Sequence, residues 1–205
     1  MSANNPDNSQ SDSYQNQLIQ NQPILMLDRT DSLLLVVDVQ SRFVPVIHEG
    51  EVLVQHVGIL MQAANLMGIP TLVSEQYPKG LGYTDERLQA FYGENTHRLE
   101  KEAFGCGADE AMAAWLKGQH KKQIVVCGIE AHVCVSQTVH QLLRVGYEVF
   151  LVENAVSSRT LENKRIALNR MASSGAVSVS TEMVLFEWMQ TASHPNFKAI
   201  QALIK

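Results

Sequence analysis

Cys134 stands in the stretch GIEAHVCV (128–135), between the apolar run QIVV and the helix-like segment SQTVHQLLRVGY. A cysteine at such a strand-to-helix joint has a route to reactivity. The N–H groups and partial positive charge of a helix N-terminus lower a thiol's pKa, and the same N–H groups can hold the oxyanion formed when a carbonyl is attacked. A nucleophile also needs a base. His132 is only two residues away, and side chains at i and i+2 of a helix do not face each other. Asp38 is the better candidate. It ends the apolar run SLLLVVDV (32–39), where a carboxylate costs free energy unless it has a partner or a task. Lys101, at the end of HRLEK, can be that partner, holding the carboxylate ionised or stabilising a thiolate. The plainer alternatives are a helix-capping or loop-anchoring role for Asp38 and a solvated surface position for Lys101. The chain has two more cysteines. Cys127 lies inside a strand-like run and reads as inert core. Cys106 lies in the loop after Lys101, either lining a pocket or as a plain loop cysteine.

Residues 38, 101 and 134 need a scaffold that brings them together. The chain of 205 residues suffices for one domain with a full hydrophobic core. Its 45% apolar and 18% charged residues are ordinary for a globular protein. A net charge of −5 and the lack of a Lys/Arg-rich run argue against a nucleic-acid partner. The apolar runs are too short to span a bilayer, so no membrane association is expected, and the N-terminus lacks a secretory pattern. Three cysteines do not make a disulfide framework, and reduced thiols in the cytoplasm are the simpler reading. The first 22 or so residues are rich in Asn, Gln and Ser and bury too little to offset their ordering entropy. Residues 1–25 are therefore expected to form a disordered tail or a strap on a neighbouring subunit, and residues 26–205 the domain.

Within that domain strand and helix patterns alternate. Strands are expected at 32–39, 70–76, 97–101, 123–129, 147–154 and 176–180. Helices are expected at 50–68, 108–118, after Cys134, at 161–175, 182–190 and 194–205, the last with Pro195 in its first turn. This alternation predicts an α/β fold with a parallel sheet and helices on both faces. Ligands of such sheets bind at the carboxyl ends of the strands. That rule selects Asp38, Glu75–Gln76, Lys101, Glu130–Cys134 and Glu153–Asn154. The turn after the first strand, DVQSRFVP, has no glycine to wrap a pyrophosphate, and neither GxxxxGK[ST] nor GxSxG occurs. A nicotinamide oxidoreductase, a P-loop enzyme and a serine hydrolase are thereby disfavoured. PKGLGYT (78–84) reads as a flexible loop over the site. Phe43, Gln76, Tyr77 and Tyr83 are candidates for pocket walls, and His132 for a substrate contact or a packing role.

Four ordered blocks carry a family likeness: LLLVVDVQSRF (33–43), SEQYPKGLG (74–82), LEKEAFGCG (99–107) and VVCGIEAHVCVSQTVHQLLRVGYEVFLVENAVSSR (125–159). Together they resemble the isochorismatase-like cysteine hydrolases, above all the isochorismatase domain-containing proteins, and the likeness runs on through HPNFKAIQALIK. The resemblance implies a Rossmann-like, three-layer α/β/α fold on a six-stranded parallel sheet. It implies an Asp–Lys–Cys triad at Asp38, Lys101 and Cys134, a cis peptide joining Ile129 to Glu130, and an oxyanion site made by the N–H groups of Glu130 and Cys134. It also implies self-association, as a dimer or a tetramer. The implied reaction is hydrolysis of a small-molecule substrate through a thioester. Nicotinamidases of this superfamily have a DxHxxxxxH metal motif after the second strand. Here that place reads SEQYPKGLGYT, without histidine, so no catalytic metal and no cofactor are expected. Isochorismatases proper act on a vinyl ether and can dispense with the cysteine; its presence points toward an amide-like C–N bond. Asn154 replaces an aspartate of many relatives and reads as a structural turn residue. The competing readings are an idle small-molecule binding module and a thiol redox sensor on the same fold.

Overall fold

The computed structural model describes residues 25–205, so the expected tail, residues 1–25, falls outside the described residues except for Leu25. Six strands form one sheet: β1 (Ser32–Val37), β2 (Thr71–Gln76), β3 (Thr96–Lys101), β4 (Gln123–Ile129), β5 (Glu148–Ser157) and β6 (Val177–Val179). All pair in parallel, in the order β3-β2-β1-β4-β5-β6. Every residue of β1, β2 and β4 is buried; β1 and β4 are accordingly near-continuous apolar runs, whereas β2 ends on the buried polar residues Ser74, Glu75 and Gln76. Strand β3 is an edge, and in its sequence THRLEK only Lys101 is buried.

Alternate side chains of each central strand feed two separate cores. Leu34 and Val36 of β1 face a core covered by α1 (Gly50–Met67), α7 (Thr181–Met189) and α8 (Phe197–Leu203). Leu33, Leu35 and Val37 face a core covered by α4 (Glu110–Gly118), α5 (Ser136–Arg144) and α6 (Leu161–Ser173). This is a three-layer α/β/α architecture. Helix α1 buries Leu53, Val57, Leu60 and Ala64 at helical spacing and stops at Gly68, whose φ is 68°. Helices α4, α6 and α7 begin on Asp109, Thr160 and Ser180, each of which accepts a backbone N–H of the first turn.

Three expectations need correction. PKGLGYT does not form a loop throughout: Pro78–Leu81 is a short helix, α2, followed by α3 (Glu86–Gln89). The last helix starts at Phe197 behind Asn196, leaving Pro195 outside it. Strand β5 does not end at Asn154 but runs on to Ser157. Between the pairs Val126↔Leu151 and Gly128↔Val156 it carries extra residues, so Glu153 and Asn154 sit in a bulge within the strand rather than after it. Asn154 is spent there on Thr181, accepting its N–H at 2.9 Å and its Oγ1 at 3.1 Å at the start of α7.

Order reverses between β1 and β4, and Gly128 of β4 lies close against the backbone of Val37 in β1. Gly128 has φ of 120°, and a β-carbon on it would stand 2.1 Å from the Val37 carbonyl oxygen. Only glycine meets both demands. Gly128→Ala should therefore cost more than about 3 kcal/mol and lower the melting temperature by roughly 10 °C, read by scanning calorimetry. An unchanged melting temperature would show that β1 can yield at this point.

Candidate active site

Strand register brings the selected residues level. Val37 pairs with Ser74 on one side and Gly128 on the other, and Gln76 pairs with Lys101. The carboxyl ends of β1, β2, β3 and β4 thus open on one place, at the switch point of the sheet.

Asp38 leaves β1 in the left-handed region, with φ of 51°, a conformation that aspartate tolerates better than most residues. Its carboxylate accepts Ser74 Oγ at 2.7 Å and Lys101 Nζ at 2.6 Å. It takes these hydrogen bonds from side chains, not from a helix end. Lys101 Nζ also donates to Gln76 Oε1 at 2.8 Å and to the Phe104 carbonyl at 2.9 Å. All three ammonium protons are used, and the Lys101 and Asp38 side chains are 0% and 1% exposed. The solvated-lysine alternative is therefore excluded. Burying two charges costs several kcal/mol per ion, and only such complete hydrogen bonding offsets it.

Cys134 lies in a π-helical turn, Ala131–Val135, that leads into α5. The Ile129–Glu130 peptide bond just before it is cis. Among the described residues the Glu130 N–H has no acceptor. The expectation of a lowered thiol pKa is overturned. Burial pushes the Cys134 thiol up, the Asp38 carboxylate beside it adds to that rise, and the pull of Lys101 is smaller. A helix N-terminus acts on one side of the sulfur, whereas desolvation and a full negative charge outweigh it. The resting group is a protonated thiol in the field of the Asp38–Lys101 pair. Cys106 is fully buried beside the same pair: burial first, and then Asp38, raise its thiol to about 11, and its N–H donates to Thr138 Oγ1 at 2.9 Å. Cys127 is core, its thiol also pushed up by burial.

The candidate substrate contacts fare differently. Gln76 spends its amide on structure, accepting Lys101 and donating to the Glu102 carbonyl at 2.8 Å, so it positions Lys101 and does not present a free amide to a ligand. Phe43 packs against the core on the α1 face. Tyr83 lies under the Arg98 guanidinium, 5.7 Å from its ring centre, and lines a smaller cavity with Glu75 and Tyr92. His132 Nδ1 and Ser158 Oγ share a hydrogen bond of 3.0 Å. Tyr77, half exposed, lines a cleft of about 530 Å³ with Lys79, Glu100, Lys101, Glu102 and Asp109. Lys101 contributes to that wall and Cys134 does not. Glu75 is occupied by Thr84 N–H at 2.8 Å, Thr84 Oγ1 at 2.7 Å and Arg98 at 2.9 Å.

Four supporting groups escaped the sequence reading: Ser74, Gln40, the Phe104 carbonyl and Arg159. Gln40 grips the backbone of Gln76 through both ends of its amide, at 2.8 and 3.0 Å. Arg159 Nε donates to Glu130 Oε1 at 2.7 Å. Arg159 alone had a usable signal, because a glutamate after a buried strand calls for a counter-charge.

The charge that holds the Cys134 proton is removed in Asp38→Asn. This variant should alkylate Cys134 about tenfold faster at pH 7, because the carboxylate that disfavours the thiolate is gone. In the parent protein the rate should keep climbing as pH passes 9.0, the ordinary thiol value that Cys134 exceeds. Slower alkylation of Asp38→Asn, followed by mass spectrometry, would contradict this electrostatic account.

Residues 32–183 match the isochorismatase domain family model. Isochorismatase domain-containing protein 2 of Danio rerio is 38% identical over 178 residues, covering 87% of this chain and 89% of that protein. Among solved structures, the MAR1 ribonuclease from Caenorhabditis elegans superposes with a TM-score of 0.84 at 36% identity, covering 88% and 92% of the two chains. The YcaC gene product of Escherichia coli, an octameric hydrolase of unknown specificity, gives a TM-score of 0.82 at 22% identity over 89% and 90% of the chains, a likeness of fold alone. The chain belongs to the isochorismatase family and has its hydrolase fold.

Proposed function

We propose that the protein is a cysteine-dependent hydrolase that cleaves an amide-like C–N bond of a small molecule through a thioester. The observation that carries this reading is the buried Asp38–Lys101 pair, 2.6 Å apart, set against a thiol that is protonated at rest. Such a thiol attacks a carbonyl only if its proton leaves as the bond forms, and the neighbouring carboxylate is the acceptor. Lys101 Nζ, 2.6 Å from the same carboxylate, is its counter-charge.

The steps follow from these positions. Cys134 sulfur bonds to the substrate carbonyl carbon while its proton passes to Asp38. The carbonyl electrons move to oxygen, which the N–H groups of Glu130 and Cys134 receive. As the oxyanion collapses, the C–N bond breaks and Asp38 returns the proton to the departing nitrogen. Water then attacks the thioester, giving its proton to Asp38. The acid leaves and the thiol is restored with that proton. None of these steps uses a metal ion.

Ribonuclease, the name that the similar Caenorhabditis elegans structure carries, fits this chain less well. The cleft beside Lys101 carries Glu100, Glu102, Asp109 and Glu110 against a single further cation, Lys79. A phosphate backbone would be repelled there. A thiol redox sensor is also less well supported, since oxidation favours thiolates and all three thiols are pushed the other way.

A panel of amides, ureides and carbamoyl compounds, assayed for ammonia release, tests the proposal. Cys134→Ala should lower any turnover found by a factor on the order of ten thousand or more, with an unchanged circular dichroism spectrum. Full activity in that variant would end the cysteine mechanism.

A further inference from the structure

The turn that carries Cys134 is held from outside by the residues following β5. Arg159 Nε donates to Glu130 Oε1 at 2.7 Å, and Ser158 Oγ meets His132 Nδ1 at 3.0 Å. The partners are unequal in burial: the Glu130 side chain is 8% exposed and that of Arg159 is 59% exposed. Among the described residues Arg159 is the cation paired with this carboxylate. Glu130 is also the residue whose N–H is offered to the oxyanion. A glutamate carboxylate lies within about 6 Å of its own backbone nitrogen, close enough for a full charge to act there at reduced dielectric. Unpaired, it would oppose negative charge developing on a substrate oxygen.

The geometry points to Arg159 as a positioning residue that neutralises Glu130 and so lets the cis-peptide turn accept an oxyanion. This role rests on the cysteine mechanism proposed above. It is separate from recognition of the substrate, because Arg159 acts on the Glu130 carboxylate whatever the substrate carries. Arg159 is largely exposed and can be changed with little demand on the core, and Glu130 keeps its backbone N–H in any side-chain variant.

Two thiol reagents separate this role from general effects on the sulfur. With acrylamide, Cys134 sulfur bonds to the terminal alkene carbon, the π electrons pass to the carbonyl oxygen, and the thiol proton ends on the adjacent carbon. With iodoacetamide, sulfur displaces iodide, the thiol proton passes to solvent, and no charge builds on the carbonyl. A change in thiolate supply moves both rates alike, so their ratio at Cys134, read from intact-protein and peptide masses, reports stabilisation of the developing oxyanion. In the full chain, Arg159→Gln should lower the acrylamide-to-iodoacetamide ratio by roughly tenfold or more. The double variant Glu130→Gln, Arg159→Gln removes both charges and should return the ratio to within about threefold of the parent. An unchanged ratio in Arg159→Gln, the result for an arginine that only anchors an anionic substrate, would overturn the role. So would a double variant as impaired as the single one. A parent protein whose Cys134 reacts with neither reagent would remove the cysteine mechanism and this role together. A reactive Cys134 with an insensitive ratio would remove this role alone.

Discussion

A lysine ammonium and an aspartate carboxylate are closed off from water at the ends of β3 and β1, and the remainder of the site is arranged around them. With side chains 0% and 1% exposed, each charge has the other as its counter-charge in place of water. Removing one partner of such a pair typically costs about 3–5 kcal/mol, because the other is left buried and unpaired. The supporting shell answers that cost. Ser74 bonds the second carboxylate oxygen, Gln76 and the Phe104 carbonyl take the remaining ammonium protons, and Gln40 fixes Gln76 by its backbone. The shell draws on the ends of three adjacent parallel strands and the loops that follow them, so strand register and charge pairing are one constraint.

The same pair sets the state of the sulfur. A cysteine near the first turn of a helix would ordinarily gain thiolate character. Here burial and the Asp38 charge reverse the balance and leave Cys134 protonated. In the proposed reaction the thiol proton passes to Asp38, the carboxylate whose charge raises the thiol at rest. That coupling is suited to a reaction in which attack and proton transfer occur together, and ill suited to indiscriminate capture of oxidants. Cys106, fully enclosed beside the same carboxylate, is pushed in the same direction, to about 11.

Much of the fold was legible because its central strands are buried on both faces, and SLLLVV, TLVSEQ and QIVVCGI show it as unbroken apolar or compact runs. Strand β5 was misjudged because polar Glu153 and Asn154 imitate a strand end, while a bulge carries the ladder past them to Ser157. Asp38 could be singled out on cost alone, as a carboxylate ending an apolar strand. Lys101 was selected by its place at a strand end, but a solvated surface position remained the plainer reading until the family likeness was added, because its strand is an edge with exposed neighbours and the burial of its last residue depends on what covers it. Gln76 was read as a pocket wall because a glutamine that braces a lysine and one that greets a ligand look the same in sequence. Glu130 after a buried strand called for a counter-charge, but that Arg159 supplies it is a tertiary property.

The most direct measurement is rapid-quench mass spectrometry of the intact protein during turnover of a substrate amide. The account predicts an acyl increment on the peptide containing Cys134 that forms before product and disappears at the rate at which the acid is released. Turnover with no covalent adduct, or an adduct confined to Cys106 or Cys127, would contradict it.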